Sequence, residues 1–139
     1  METVLAILLT APPRLGGLGL KGAKMNHRIL TADGSKYVDI AFPERKVGLE
    51  YKGKKAHAIE RTERDDRRQN RIIGSGMTIL NVWYEDLASP HLFERLIADF
   101  TRTAGIRLRI RHRSFPQKHD LLRAQLMPRV ERYGTLASA

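Results

Sequence analysis

The chain has 139 residues and a mass of 15.8 kDa, with 25 Lys+Arg against 15 Asp+Glu, a formal charge of +10 and a pI near 10.4. Its 42% hydrophobic and 29% charged residues fit one globular domain and exclude a disordered chain. The lack of cysteine excludes a disulfide scaffold, thiol catalysis and a cysteine-based zinc site. The apolar run Val4 to Leu9 is too short to cross a bilayer, and no basic segment precedes it as in a signal peptide. A soluble, cytoplasmic protein with no membrane partner is expected.

In chain order, Val4, Leu5, Leu8 and Leu9 fall at helical spacing and predict a helix over Glu2 to Thr10, stopped by Pro12-Pro13. The glycine-rich stretch Gly16 to Gly22 lacks the Gly-Lys-Ser/Thr ending of a phosphate-binding loop and reads as a connector. A strand is expected over Met25 to Thr31, then a turn at Asp33-Gly34. Val38, Ile40 and Phe42, then Val47, Leu49 and Tyr51, alternate with other residues, so two strands should each bury one face. Pro43-Glu44-Arg45-Lys46 forms the turn between them.

A polar helix is expected over Ile59 to Ile73, supported by the Glu60/Arg64 and Glu63/Arg67 pairs, with Gly74 and Gly76 closing it. Thr78 to Trp83 reads as a strand. Ser89-Pro90 starts a helix whose apolar stripe is Leu92, Phe93, Leu96, Ile97 and Phe100, and Gly105 ends it. Ile106 to Arg111 alternates apolar residues with Arg and is expected to form a strand, before a last helix over Pro116 to Met127. The order helix, three strands, helix, strand, helix, strand, helix describes an α/β fold on one sheet.

The charge is unevenly placed. Residues 1–60 carry net +4, residues 61–100 net −1 and residues 101–139 net +7. A row formed by Arg107, Arg109 and Arg111 on one strand face suits contacts to nucleic-acid phosphates, and a solvated edge strand that resists aggregation would carry the same pattern. Arg61, Arg64, Arg68 and Arg71 recur at helical spacing, as a phosphate-binding stripe or as a salt-bridged solvent face.

The hairpin carries the chemistry. If Phe42 and Val47 pair across the turn, Asp39 lies opposite Glu50, and Lys52 shares the face of Glu50. Two carboxylates at that spacing suit Mg²⁺, which takes one or two carboxylates together with water and substrate phosphate. An adjacent lysine can orient an attacking water or offset phosphate charge. A charged, solvent-facing sheet surface is the structural alternative.

The segments Val38-Asp39-Ile40-Ala41-Phe42-Pro43 and Gly48-Leu49-Glu50-Tyr51-Lys52-Gly53 resemble the active-site hairpin of PD-(D/E)xK nucleases, and most resemble bacterial domains related to very-short-patch-repair endonucleases. The likeness continues through Asp66 to Ile72, Gly74, Gly76, Ile79-Leu80-Asn81-Val82, and the leading helix with Pro13 to Leu20, covering roughly residues 2–105. Val38 stands where the family motif has proline, and several relatives carry an acidic residue where this chain has Lys52.

The resemblance implies a restriction-endonuclease-like core, α-β-β-β-α-β, with a mixed four-stranded sheet flanked by helices. That core would span residues 1–105, and residues 106–139 would form a basic C-terminal strand and helix extending the same domain. It also implies Mg²⁺-dependent hydrolysis of DNA phosphodiesters, with Mn²⁺ able to substitute. Asp39 and Glu50 would be metal ligands and Lys52 the catalytic lysine, while Glu2 sits where the superfamily often places a further first-helix carboxylate. Its position beside the first residue suggests a piece of a longer protein. His57 stands where relatives often have a histidine able to assist proton transfer. Arg68, Arg71, Arg107, Arg109 and Arg111 are the nucleic-acid-binding candidates, with DNA as the expected partner and RNA open. A non-catalytic nucleic-acid-binding module, or a regulatory module of a defence or toxin–antitoxin system, is the alternative on the same fold.

Overall fold

A computed structural model describes residues 1–54, 71–73 and 76–137. Its elements are α1 (Glu2–Thr10), β1 (Lys24–Thr31), β2 (Gly34–Phe42), β3 (Val47–Gly53), β4 (Arg71–Ile73), β5 (Met77–Trp83), α2 (Tyr84–Ala88), α3 (Pro90–Ala104) and α4 (Phe115–Ala137). Short 3₁₀ turns cover Pro13–Leu15 and Pro43–Arg45. The chain divides into two compact units, one built from residues 1–21 and 108–139, the other from residues 22–107. No helix among the described residues is long and apolar enough to cross a membrane.

The second unit holds the sheet, in strand order β1-β2-β3-β5-β4. β1, β2 and β3 run antiparallel in succession, β3 pairs with β5 in parallel, and β4 returns antiparallel at the edge. The four longer strands make the expected mixed sheet, and β4 adds a short fifth. Phe42 pairs with Val47 across the 3₁₀ turn, with Lys46 in the left-handed region at φ 53°. The hairpin register is therefore the expected one.

Ser89 caps α3 by accepting a hydrogen bond from the Leu92 N–H at 3.3 Å, and Gly105 ends it in the left-handed conformation. The stripe Phe93, Leu96, Ile97, Phe100 and Ala104 is buried, and the Phe100 ring lies 5.1 Å from that of Phe42 in a tilted pair. Ile29, Val38, Ala41, Met77 and Ile79 form a separate apolar cluster. Ala41 and Phe42 are successive strand residues, so this cluster occupies the sheet face opposite Phe100. Residues 47–49 and most of β5 are buried at every position, which corrects the expectation that each hairpin strand buries one face only. Strands covered on both faces have no polar side to alternate with.

In the first unit, α1 buries Val4, Leu5, Leu8 and Leu9. The glycine-rich stretch turns back over the end of this helix, where Leu18 N–H donates to the Leu8 carbonyl and Leu20 N–H to the Leu9 carbonyl, each at 2.9 Å. Gly16, at φ 98°, passes so close to the Lys118 carbonyl of α4 that a Cβ would overlap it, and the His119 ring Nδ1 lies 2.8 Å from the Gly16 carbonyl oxygen. The connector is thus held by backbone packing.

Three expected elements are corrected. Residues 106–111 form no strand. Their period-two pattern survives as alternating exposure, with Arg107, Arg109 and Arg111 exposed and Ile106, Leu108 and Ile110 partly covered. Such a pattern records which side of an extended chain meets the protein and needs no ladder partner. Arg71 to Ile73 are strand β4, where a helix end was expected, because the β-branched pair Ile72-Ile73 suits a pleated edge better than a final helical turn. The rest of that expected helix lies outside the described residues. α4 extends ten residues beyond Met127, past Pro128; one lost backbone hydrogen bond does not end it.

Candidate functional site

The candidate hairpin departs from regular pleating at the residues singled out for chemistry. In the β1/β2 ladder every position from Lys24↔Ala41 to Thr31↔Gly34 pairs in register, except Asn26 opposite Asp39. Asn26 adopts φ 47°, in the left-handed region that few non-glycine residues occupy. Val38 shares a cluster with Ala41, three residues on, although a regular strand would put them on opposite faces. The pleat is therefore interrupted at Asp39. This corrects the expectation that Val38, Ile40 and Phe42 share one face.

The β2/β3 ladder runs from Phe42↔Val47 to Ile40↔Leu49, one pair short of Asp39 and Glu50. Asp39 reaches β3 through its side chain instead. Its Oδ2 accepts a 2.8 Å hydrogen bond from the Tyr51 N–H, at the peptide joining Glu50 to Tyr51. A carboxylate held by a backbone donor is fixed in position as well as in charge.

On β3, Tyr51 pairs with Val82 and Gly53 with Trp83, leaving Lys52 as the extra residue of a β-bulge. Its Nζ lies 3.2 Å from Glu50 Oε2, and both side chains are about three-quarters covered. Gly53, at φ 90°, provides the left-handed residue that turns the strand away. Lys54 then places its ammonium 5.0 Å from the centre of the Tyr84 ring. The site so assembled comprises Asp39 bound at the Glu50–Tyr51 peptide and the Glu50–Lys52 ion pair beside it.

Glu50 has a neighbour on its other side. Asn81 of β5 pairs with it in the parallel ladder, and paired residues of adjacent strands share a face. Asn81 also borders an open cleft of about 240 Å³, lined further by Trp83, Asp86, Leu92, Arg95 and Asp99. Asp86 is held there by accepting the Trp83 N–H at 2.8 Å, a bond that starts the short helix α2.

The other candidates are placed as follows. Glu2 heads α1 in the first unit, with its carboxylate 3.6 Å from the terminal ammonium. Arg107, Arg109 and Arg111 are exposed on a segment without regular secondary structure, and Arg71 begins β4. His57 and Arg68 lie outside the described residues. Among the described residues no group of three or more His, Cys, Asp or Glu is disposed around a common metal position. The donor set at the hairpin is two carboxylates, which is the number Mg²⁺ takes when water and phosphate complete its shell.

The sequence supplied the residue types and the register but not the two irregularities. Lys52-Gly53 was the legible signal for the bulge, since glycine in a strand often marks one. Asn26 and Asn81 carried no motif of their own. No protein-family model matches the chain, and comparison with curated proteins and solved structures returns no significant match.

Proposed function

We propose that the protein is a Mg²⁺-dependent endonuclease that hydrolyses DNA phosphodiester bonds on a restriction-endonuclease-like core of the PD-(D/E)xK type. The observation that carries this reading is the convergence of Asp39, Glu50 and Lys52. Asp39 is bonded to the peptide N–H that follows Glu50, and the Lys52 ammonium lies 3.2 Å from the Glu50 carboxylate. A pure nucleic-acid binder gains nothing from carboxylates crowded where phosphates must approach.

In this reading Asp39 and Glu50 hold the cation, with Mn²⁺ able to replace Mg²⁺. The bound ion supplies Lewis-acid polarisation of the phosphate and a lowered pKa for water. Lys52 orients the attacking water and offsets the charge that develops on the phosphate. The Glu50–Lys52 contact keeps the ammonium at the site before substrate arrives. The exposed Arg107, Arg109 and Arg111 grip the backbone, and such contacts position the duplex without specifying its sequence.

Cleavage of supercoiled plasmid with and without Mg²⁺, beside Glu50→Gln, tests the proposal. Metal-dependent nicking or linearisation by the wild type, lost in Glu50→Gln, is expected. Binding without cleavage under any divalent cation would favour the non-catalytic module instead.

A further inference from the structure

We propose that Asn81 is the third oxygen donor of the cation site, an inference that rests on reading Asp39 and Glu50 as its carboxylate ligands. Three observations converge on this residue. First, the parallel ladder pairs Asn81 directly with Glu50, so the amide and the carboxylate stand on the same sheet face one strand apart.

Second, Asn81 interrupts an apolar run, with Ile79 and Leu80 before it and Val82 and Trp83 after it, and is only 8% exposed. Asparagine is disfavoured in strands, and a buried amide is costly unless a polar partner meets it. Third, among the described residues no hydrogen bond engages its side-chain amide. No side-chain nitrogen or oxygen there is sealed from solvent without a partner, so the amide keeps an opening to water. A nearly buried amide beside a carboxylate, with water access and no hydrogen-bond partner among the described residues, has the chemistry of a cation ligand. Its carbonyl oxygen adds a neutral donor, so the site gains coordination without a third negative charge to repel phosphate.

The test measures Mn²⁺ and Mg²⁺ binding to the full chain by titration calorimetry and by the cation-induced rise in Tm, in wild type, Asn81→Leu, Asn81→Asp and Glu50→Gln. Asn81→Leu fills a similar volume without an oxygen. It should keep or raise the metal-free Tm and weaken Mn²⁺ affinity roughly 10–100-fold, the range seen when groups supporting a metal site are removed. Asn81→Asp should bind Mn²⁺ more tightly than wild type. If wild type binds the ion, Glu50→Gln does not, and Asn81→Leu matches wild type, then the Asn81 assignment falls while the nuclease reading stands. Should Asn81→Leu fail to fold, unchanged Mn²⁺ affinity in Asn81→Asp overturns the assignment equally. A wild type that binds neither ion overturns both.

Discussion

The Asp39 carboxylate accepts the Tyr51 backbone N–H at 2.8 Å, so a side chain does the work of a ladder hydrogen bond where β2 and β3 stop pairing. The bond secures an irregular stretch of β2 and presents the carboxylate beside Glu50. The structural role and the proposed cation-binding role therefore meet in one residue, and substitutions can separate them.

Asp39→Ala leaves the part-buried Tyr51 N–H without its acceptor and should cost about 1–3 kcal/mol in urea unfolding without metal. Asp39→Asn keeps an acceptor oxygen and should cost clearly less. Both should lose the Tm rise produced by Mg²⁺ or Mn²⁺, which for wild type reflects a stabilisation of about 2.7 kcal/mol when the ion stands at 100 times its Kd. A full cation-induced rise in Asp39→Asn would remove Asp39 from the ligand set.

Lys52→Met retains much of the side-chain bulk but removes the ammonium now 3.2 Å from Glu50. Plasmid cleavage should fall to a small fraction of the wild-type rate. Cation affinity should hold or increase, since no neighbouring positive charge competes for Glu50. Duplex affinity should change little, because one charge among 25 Lys+Arg contributes little to backbone attraction. Wild-type turnover in Lys52→Met would exclude a catalytic lysine.

Replacing Arg107, Arg109 and Arg111 together with Gln should weaken duplex binding at every sequence. The dependence of log affinity on log salt should flatten by about 0.9 for each phosphate that is no longer neutralised. These side chains are exposed, so fold stability should barely change. Filter binding between low and moderate salt checks this, and identical slopes would place DNA on a different surface.

Gly48 is the test of sheet packing next to the site. A Cβ there would stand 2.7 Å from Val38 Cγ1 and 2.9 Å from Ile79 Cδ1, inside the apolar cluster. Gly48→Ala should destabilise by about 1–3 kcal/mol through overpacking. Gly48→Ala combined with Val38→Ala should recover part of that loss in a thermal melt, because the crowding atom is removed.

Much of the architecture was written in local pattern. Helical spacing from Val4 to Leu9, the Ser89-Pro90 start and Gly105 stop of α3, and the Pro43–Lys46 turn each act within a few residues, and each lies where the sequence puts it. The Phe42↔Val47 register follows from that turn, and with it the approach of Asp39 to Glu50. What the tertiary structure decided depends on residues far apart in the chain. Ile72 and Ile73 became a strand because β5 offers a pairing edge, whereas helical ion pairs contribute only a few tenths of a kcal/mol each. The arginines of residues 106–111 alternate in exposure without a ladder, since alternation fixes the side of the chain and not its hydrogen bonds. The break in pleating at Asn26 and Asp39, the bulge at Lys52 and the placement of Asn81 beside Glu50 arise where three strands must satisfy one another's backbone groups at once. Periodicity along one strand carries no record of that requirement, because the partner strands that impose it are distant in sequence.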